Sequence, residues 1–379
     1  MTVERAWRLA PVMGITRIAN VTGLDSIGLP VVMVCRPNSR SVAVSQGKGI
    51  DLLTAKASGL MESVESYHAE TITLPLRLCS YEDLRYTHTV ADPWTLPAVR
   101  TTYFSGELRM HWAEGFDLLR EEPVFVPYEM VHTDFRWPSL PGAGCFVASS
   151  NGLASGNHFL EAVSHAICEV VERDAATLWM LAGPRERNRT RVRLSSIDDA
   201  TCVQALEKFE RAGFEVAVWD LTSDVGLAAF ACVIRGRDER GHELPAAQGR
   251  GCHPARAIAL LRALTEAAQS RLTLIAGSRD DIARRDYVPA ADLNEPSAAS
   301  APAMDFGSVP DNDTETIDED VEWELSRLRP AGIERVIVFD LSKEAFALPV
   351  VRVVVPGLEA PVDHPRYVPG ARARRQIAR

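Results

Sequence analysis

The chain has 379 residues, 46% of them hydrophobic and 24% charged, with a formal net charge of −10 at pH 7. This is the composition of a globular protein with a sizeable core, and the acidic balance argues against a general nucleic-acid binder. Seven widely spaced cysteines with no CxxC pair argue against a disulfide framework and a zinc site. No apolar run is long enough to span a membrane and the opening residues lack a signal-peptide pattern, so a cytoplasmic location without membrane contact is expected.

Residues 14–35 open on a predicted turn and short helix, and residues 29–35 form an apolar, β-branched run that predicts a buried strand. Arg17 stands close to Asn20 and Asp25, either in structural pairing or as a ligand contact. Residues 42–45 predict a second strand. It leads into Gln46-Gly47-Lys48-Gly49 and then a helix over about residues 51–69 carrying Ser58, Glu62 and Glu65. A Gly-Lys-Gly turn before a helix N-terminus suits a phosphate, because free backbone N–H groups and the helix dipole favour anions. It is not a P-loop, and the plain alternative is a simple turn.

Residues 71–137 read as a strand-rich lobe, with candidates at 72–78, 99–104 and 123–128; His111-Trp112 and Trp137-Pro138 read as packing residues. A polar loop then precedes a helical run from His158. On it Glu161, His165, Glu169 and Glu172 are spaced by four, four and three positions and share one stripe. Val163, Ile167, Val170 and Val171 cover the other faces, so the helix should be largely buried. Three carboxylates on such a stripe repel one another and resist desolvation, so Arg173 or bound metal should sit against them.

Beyond it, residues 197–212 predict a helix, and 214–221 and 227–234 predict strands. Gly249-Arg250-Gly251 reads as another turn, leading into a helix over 254–275 with Glu266, Gln269 and Arg271, followed by Arg279. Residues 288–318, rich in Ala, Pro, Ser and acidic residues, predict a mobile loop. A helix at 317–328, strands at 336–339 and 350–355 and a basic tail at 371–379 complete the chain.

The helices compare with one another. Gly49 precedes Glu62 by 13 positions, as Gly156 precedes Glu169, and a second glutamate follows three residues later in both. The bland alternative is solvated carboxylates on amphipathic helices, but here they are embedded among apolar residues. Glu62, Glu65, Glu161, Glu169 and Glu172, with Arg173, Gln269, Arg271 and Arg279, suit a nucleoside triphosphate with Mg²⁺. Paired carboxylates also serve glycoside hydrolysis, but sugar-binding aromatics are scarce near them.

With these residues in view, the chain resembles the YcaO family over nearly its full length. The resemblance rests on Gly14-Ile15-Thr16-Arg17 through Asp25; Gly47-Lys48-Gly49 with Ser58, Glu62 and Glu65; Ser150-Asn151-Gly152-Leu153-Ala154-Ser155-Gly156 with Glu161, Glu169, Glu172, Arg173 and Asp174; Glu266, Gln269, Arg271 and Arg279; and Val355-Pro356-Gly357-Leu358-Glu359. Each motif is weak alone and they are specific jointly. The resemblance implies ATP and Mg²⁺ as cofactors, with Glu62, Glu65, Glu161, Glu169 and Glu172 as metal ligands or their close support. It implies nucleotide contacts from Ser58, Asn157, Arg173 and Arg279, with Lys48, Arg17, Gln269 and Arg271 as further cofactor-binding candidates. Arg173, Arg279 and His165 are the catalytic candidates. Ser66 stands where the family has arginine, and Ala154 and His165 stand where it has serine and glutamine; His165 or another arginine would replace the missing basic group.

The family's members phosphorylate a peptide amide oxygen with ATP, turning it into a leaving group for a nucleophile. The last residues show no PxPxP pattern, and a fused E1-like domain is not expected. Its Gly-Ile-Thr-Arg opening and Pro-Gly-Leu-Glu close are similar to stand-alone members that work with a TfuA partner in thioamide formation, the leading expectation. Azoline-forming cyclodehydration comes next, then a non-catalytic ATP-binding accessory role. The partners implied are a precursor peptide, a TfuA-like or E1-like protein and a second copy in a homodimer. The expected fold is one α+β domain over residues 1–379 with its core at about 14–370, mixed sheets packing with the glutamate-bearing helices around a nucleotide cleft.

Overall fold

The computed structural model describes residues 2–238, 240–280 and 304–378. Helices α1 (Thr2–Arg8) and α2 (Ala10–Met13) precede β1 (Arg17–Asn20), β2 (Val31–Cys35), β3 (Val44–Lys48) and helix α3 (Leu52–Glu70). Then come β4 (Leu76–Cys79), α4 (Tyr81–Arg85), β5 (Met110–Asp117), β6 (Glu122–Pro127), β7 (Leu153–Ser155) and α5 (Phe159–Leu181). Helices α6 (Pro184–Arg189) and α7 (Ala200–Arg211) lead to β8 (Glu215–Asp220), β9 (Ala228–Arg235), β10 (Ala247–His253) and α8 (Arg256–Ala276). The last elements are α9 (Ile317–Leu328), β11 (Ile337–Asp340), β12 (Val350–Val354) and α10 (Ala371–Ile377). The fold is α+β, and pairing between named strands is antiparallel throughout the described residues.

Two compact units emerge. The first comprises Met1–Ser63 and Gly183–Asp313. It holds two three-stranded sheets, ordered β1-β2-β3 and β10-β9-β8, each followed in the chain by a long helix. Glycine explains how close strand and helix come. A Cβ on Gly47 would lie 2.0 Å from the Ala55 carbonyl oxygen, and one on Gly251 would lie 2.2 Å from that of Ala259. Only a residue without a side chain permits such an approach. These glycines were expected in turns. Instead Gln46, Gly47 and Lys48 belong to β3, opposite Met33, Val32 and Val31, and Gly249-Arg250-Gly251 lies within β10. The predicted anion-binding turn at Gly47-Lys48 is therefore a paired strand.

The second unit comprises Val64–Ala182 and Thr314–Arg379. Its sheet runs β4-β5-β11-β12-β7, with β6 paired to β5. Helices α5 and α9 pack in this unit, and α5 also lies on β12 and β7. The strand-rich lobe thus exists, but residues 99–104 form no strand and β5, unforeseen, is its longest. Trp112 is fully buried, its indole N–H donating to the Cys79 carbonyl at 3.0 Å, whereas Trp137 is 88% exposed and packs on nothing like a core. The basic tail is a helix, α10, with Arg372 buried. Of the predicted mobile loop, residues 288–303 lie outside the described residues; Phe306–Ser308 form a 3-10 turn. No described helix is long and apolar enough to cross a membrane.

Candidate functional site

In the second unit, α5 carries the stripe anticipated from its spacing. Glu161, His165, Glu169 and Arg173 are half-buried, while Ala162, Val163, Ala166, Ile167, Val170 and Val171 are buried. Glu172 is only 3% exposed. Arg173 neutralises both neighbours, its guanidinium lying 3.1 Å from Glu172 and 3.8 Å from Glu169. Glu65 reaches the chain just before this helix: its Oε1 accepts from the Ser155 N–H at 2.9 Å and from the Ser155 hydroxyl at 2.7 Å. Two residues on, the Asn157 N–H donates to Glu161 Oε2 at 2.8 Å. Ser155–Asn157 therefore gathers carboxylates from α3 and α5 onto one short segment. Gly156 makes room for it, since a Cβ there would meet the Ala162 nitrogen at 2.8 Å.

In the first unit, Glu62 accepts from the Gln46 N–H at 3.3 Å, and Glu266 accepts from the Arg250 N–H at 3.2 Å. Both bonds span sixteen residues. The glycine contacts Gly47–Ala55 and Gly251–Ala259 repeat in the same way, so β3–α3 and β10–α8 share one geometry, in which Glu62 matches Glu266 and Glu65 matches Gln269. Gly49 also matches Gly156, each meeting the nitrogen of an alanine six residues later at 2.8 Å. The resemblance between the Gly-to-Glu intervals is thus a real repetition of strand, glycine and helix.

Other candidates find partners inside the protein. Lys48 pairs with Glu266. Arg271 lies 3.3 Å from Asp25 and stacks over Phe214 at 4.8 Å, and burial lowers its affinity for the proton. Asp25 in turn is pushed up by burial. Arg17 is exposed on β1, and Asn20 accepts from Thr22 rather than from Arg17. Ser58 stands half-buried one turn before Glu62, and Arg279 is half-buried just beyond the left-handed cap Gly277.

Among the described residues, no three His, Cys, Asp or Glu side chains are drawn into a metal cage. The donor set nonetheless fits Mg²⁺ with a polyphosphate. Mg²⁺ in such sites takes one or two carboxylates plus phosphate oxygens and water, not an all-protein cage. Four half-buried or buried glutamates of the second unit, Glu65, Glu161, Glu169 and Glu172, would be the source of those hard oxygens, and Glu62 lies one turn away from Glu65 on α3.

Sequence reasoning overlooked several partners. Ser155 belongs to the motif at residues 150–156, but its hold on Glu65, ninety residues away, lies outside any local pattern. Asp174 and Arg372 form a buried ion pair across 198 residues. Arg352 is a fully buried arginine in the run Val350-Val351-Arg352-Val353-Val354, and a lone cation in a β-branched strand was the signal available.

A family model described as YcaO cyclodehydratase, ATP- and Mg²⁺-binding, matches residues 46–359. A protein of Rhizobium leguminosarum bv. trifolii, described as an uncharacterized protein in the tfuA 3′ region, is 37% identical over 375 residues, covering 95% of this chain and 87% of its own. An uncharacterized protein of Methanothermobacter thermautotrophicus is 37% identical over 96% of this chain and 94% of its own. Among solved structures, YcaO from Methanopyrus kandleri bound with AMPPCP and Mg²⁺ is similar with a TM-score of 0.75, 25% identity and coverage of 97% and 93%. A heterocyclase in complex with substrate and cofactor is similar in fold, with a TM-score of 0.76 and 24% identity; the match takes in 95% of this chain, which spans about half (52%) of that longer chain.

Proposed function

The chain belongs to the YcaO family of ATP-dependent enzymes, and from that premise we propose that it converts a backbone amide of a ribosomally made precursor peptide into a thioamide. ATP with Mg²⁺ supplies the phosphoryl group that makes the amide oxygen a leaving group. Hydrosulfide adds to the amide carbon, a C–S bond replaces the C–O bond, and the oxygen departs in phosphate. Amide, ATP and hydrosulfide become thioamide, ADP and hydrogen phosphate, with no change of oxidation state. An amide carbonyl is a poor electrophile, so this activation and the stabilisation of charge on the departing group provide the rate.

The observation carrying the proposal is the gathering of Glu65 and Glu161 onto Ser155–Asn157, ahead of the stripe bearing Glu169, Glu172 and Arg173. In this reading the glutamates, with Glu62, hold the metal, and Arg173 and Arg279 bear on the phosphates. Ser58 and Asn157 orient the nucleotide, and Lys48, Arg17, Gln269 and Arg271 support its surroundings. His165 takes the place of the basic group absent at Ser66. The AMPPCP and Mg²⁺ in the Methanopyrus protein support this assignment. The Rhizobium relative, described by its position beside tfuA, supports a TfuA-like partner and hence the thioamide. A homodimer belongs to the same proposal.

The heterocyclase neighbours favour a second reading, azoline formation on Cys, Ser or Thr with an E1-like partner. Purified protein, ATP, sulfide, TfuA-like partner and precursor peptide distinguish them by mass spectrometry. Exchange of one oxygen for one sulfur supports thioamide formation, and loss of water replaces it with cyclodehydration. Nucleotide binding without phosphate release for any combination of peptide and partner leaves an accessory protein.

A further inference from the structure

β7, the strand that brings Ser155 to Glu65, is three residues long and stands last in its sheet. Among the described residues its ladder runs only to β12, from Val350 opposite Ser155 to Arg352 opposite Leu153. So short an edge strand is weakly held by pairing alone. Bonds beyond the ladder extend the hold: the Val353 N–H donates to the Gly152 carbonyl at 2.7 Å and the Gly156 N–H to the Pro349 carbonyl at 3.2 Å. Gly152, with φ +79°, permits this approach, because a Cβ there would lie 2.3 Å from the Val353 carbonyl oxygen.

The lead-in to β7 is held by Arg352, which is 1% exposed and stands within a run of valines. Its Nε donates to the Met130 carbonyl at 3.0 Å and Nη2 to the Ser149 carbonyl at 2.8 Å. Met130 closes the 3-10 turn Tyr128–Met130 that follows β6. The residue before it, Glu129, accepts from the N–H groups of Gly144, Cys145 and Phe146. One turn thus fixes the chain at residues 144–146 through a carboxylate and at residue 149 through a guanidinium. A buried charge is costly, and here both bonded acceptors are neutral carbonyls. Burial pushes Arg352 down to about 10, and Glu169 of the stripe draws it back through space. Only a guanidinium presents separate nitrogens splayed toward two acceptors; lysine and glutamine each bring one nitrogen. What the fork joins accounts for a cation at this place.

We propose that Arg352 is a positioning residue for Mg²⁺-ATP: by clasping Ser149 to Met130 it sets the path of residues 149–157, and with it the places of Glu65 and Glu161. The inference rests on the assignment of those glutamates to the metal made above. Ser149 opens a turn in which the Ser150 carbonyl accepts from the Leu153 N–H at 2.9 Å. Ser155 then gives its N–H and its hydroxyl to Glu65, and the Asn157 N–H goes to Glu161. A displaced Ser149 is therefore felt along the segment at both carboxylates. Shifts of about 1 Å in such supports weaken a site whose geometry must be exact.

Arg352→Lys, Arg352→Gln and Arg352→Met in the full chain test this. The methionine removes the buried charge without stranding an opposite one, which keeps a folded variant available. In calorimetry, Arg352→Gln and Arg352→Met should weaken Mg²⁺-ATP binding about 10- to 100-fold. Arg352→Lys, which keeps the charge and one bond, should weaken it less. Hydrogen exchange followed by mass spectrometry should quicken about tenfold or more at residues 149–157 and stay within about twofold in β8 and β9. Combined with Ser155→Ala, the loss of affinity should be smaller than the product of the two single losses, because both changes cut one tether. A residue that only supports the fold would give the full product. Unaltered exchange at residues 149–157, or a full product in the double variant, overturns the proposal. So does faster exchange with unchanged Mg²⁺-ATP affinity when Glu65→Gln itself weakens binding. If Glu65→Gln and Glu161→Gln also leave the affinity unchanged, the metal assignment fails and the role at the site with it, while the exchange result still decides whether Arg352 sets this segment.

Discussion

Asp174 and Arg372 close a two-pronged ion pair inside the protein: Arg372 Nε lies 3.0 and 3.2 Å from the two carboxylate oxygens, and a terminal nitrogen lies 3.0 Å from Oδ2. Asp174 also accepts from the Glu359 N–H at 2.9 Å. The pair ties α10 to α5 at the residue next to Arg173.

Breaking that pair from one side strands a buried charge. Arg372→Ala should destabilise the protein by about 3–5 kcal/mol, read from urea or guanidinium midpoints. Asp174→Asn combined with Arg372→Met should recover much of the loss, because neither charge then remains. Equal losses in the single and double variants would show that α10 is held by something else.

Glu324 on α9 makes stability depend on pH. Its Oε1 accepts from the Ser164 hydroxyl at 2.6 Å and from the Cys168 thiol at 3.3 Å, while Oε2 is buried without a partner. Burial raises its pKa well above the ordinary carboxylate value. The folded state therefore holds this proton to a higher pH than the unfolded chain. Its contribution is complete below the unfolded pKa and is lost as pH rises through the folded one. Asp174, pushed up to about 6 by burial, acts in the same direction between about pH 4 and 6. Glu324→Gln, which copies the protonated acid, should be nearly neutral at acidic pH and stabilising at alkaline pH, measured by denaturation at both. A variant equally unstable at both pH values would contradict this.

The stripe on α5 predicts a binding defect that leaves the fold intact. Glu169→Gln and Glu172→Gln should each weaken Mg²⁺-ATP binding by about 10- to 100-fold in calorimetry, the range seen when support for a metal site is lost. Circular dichroism and melting behaviour should change little, because glutamine keeps the packing volume. Unaltered Mg²⁺-ATP affinity in both variants sinks the metal assignment.

Glycine in β3 predicts a contrast. Gly47→Ala would place Cβ 2.0 Å from the Ala55 carbonyl oxygen and 2.2 Å from the Gly59 nitrogen, both backbone atoms that cannot step aside. It should cost about 3 kcal/mol or prevent folding. Gly23→Ala meets nothing within 4 Å and should be neutral within about 1 kcal/mol. Comparable midpoints for the two variants would refute the close approach of β3 and α3.

How much of this was legible follows from what local pattern can carry. Helix α9 was read at its observed limits, Ile317–Leu328, and the stripe of α5 emerged from spacing alone, since a helix repeats its faces every few residues. The comparison of Gly49 with Gly156 also anticipated a shared geometry. Short strands were harder. β1, with the sequence Arg-Ile-Ala-Asn, has too little alternation to declare itself, and its pairing with β2 decides its conformation. Gly47 and Gly251 misled because glycine marks turns and tight sheet–helix contacts alike. The hold of Ser155 on Glu65 and of Asp174 on Arg372 depends on chain folding over long separations, which no local window contains.

The matched bonds Gln46–Glu62 and Arg250–Glu266 have one more implication. A duplicated scaffold allows polarity to diverge at fixed geometry. Where α3 offers Ser58 and Glu65, α8 offers Arg262 and Gln269 at the same rungs. One copy thus carries a hydroxyl and a carboxylate where the other carries a guanidinium and an amide, so exchanging Glu65 with Gln269 would swap electrostatic character between two mounts that share their strand-to-helix contacts.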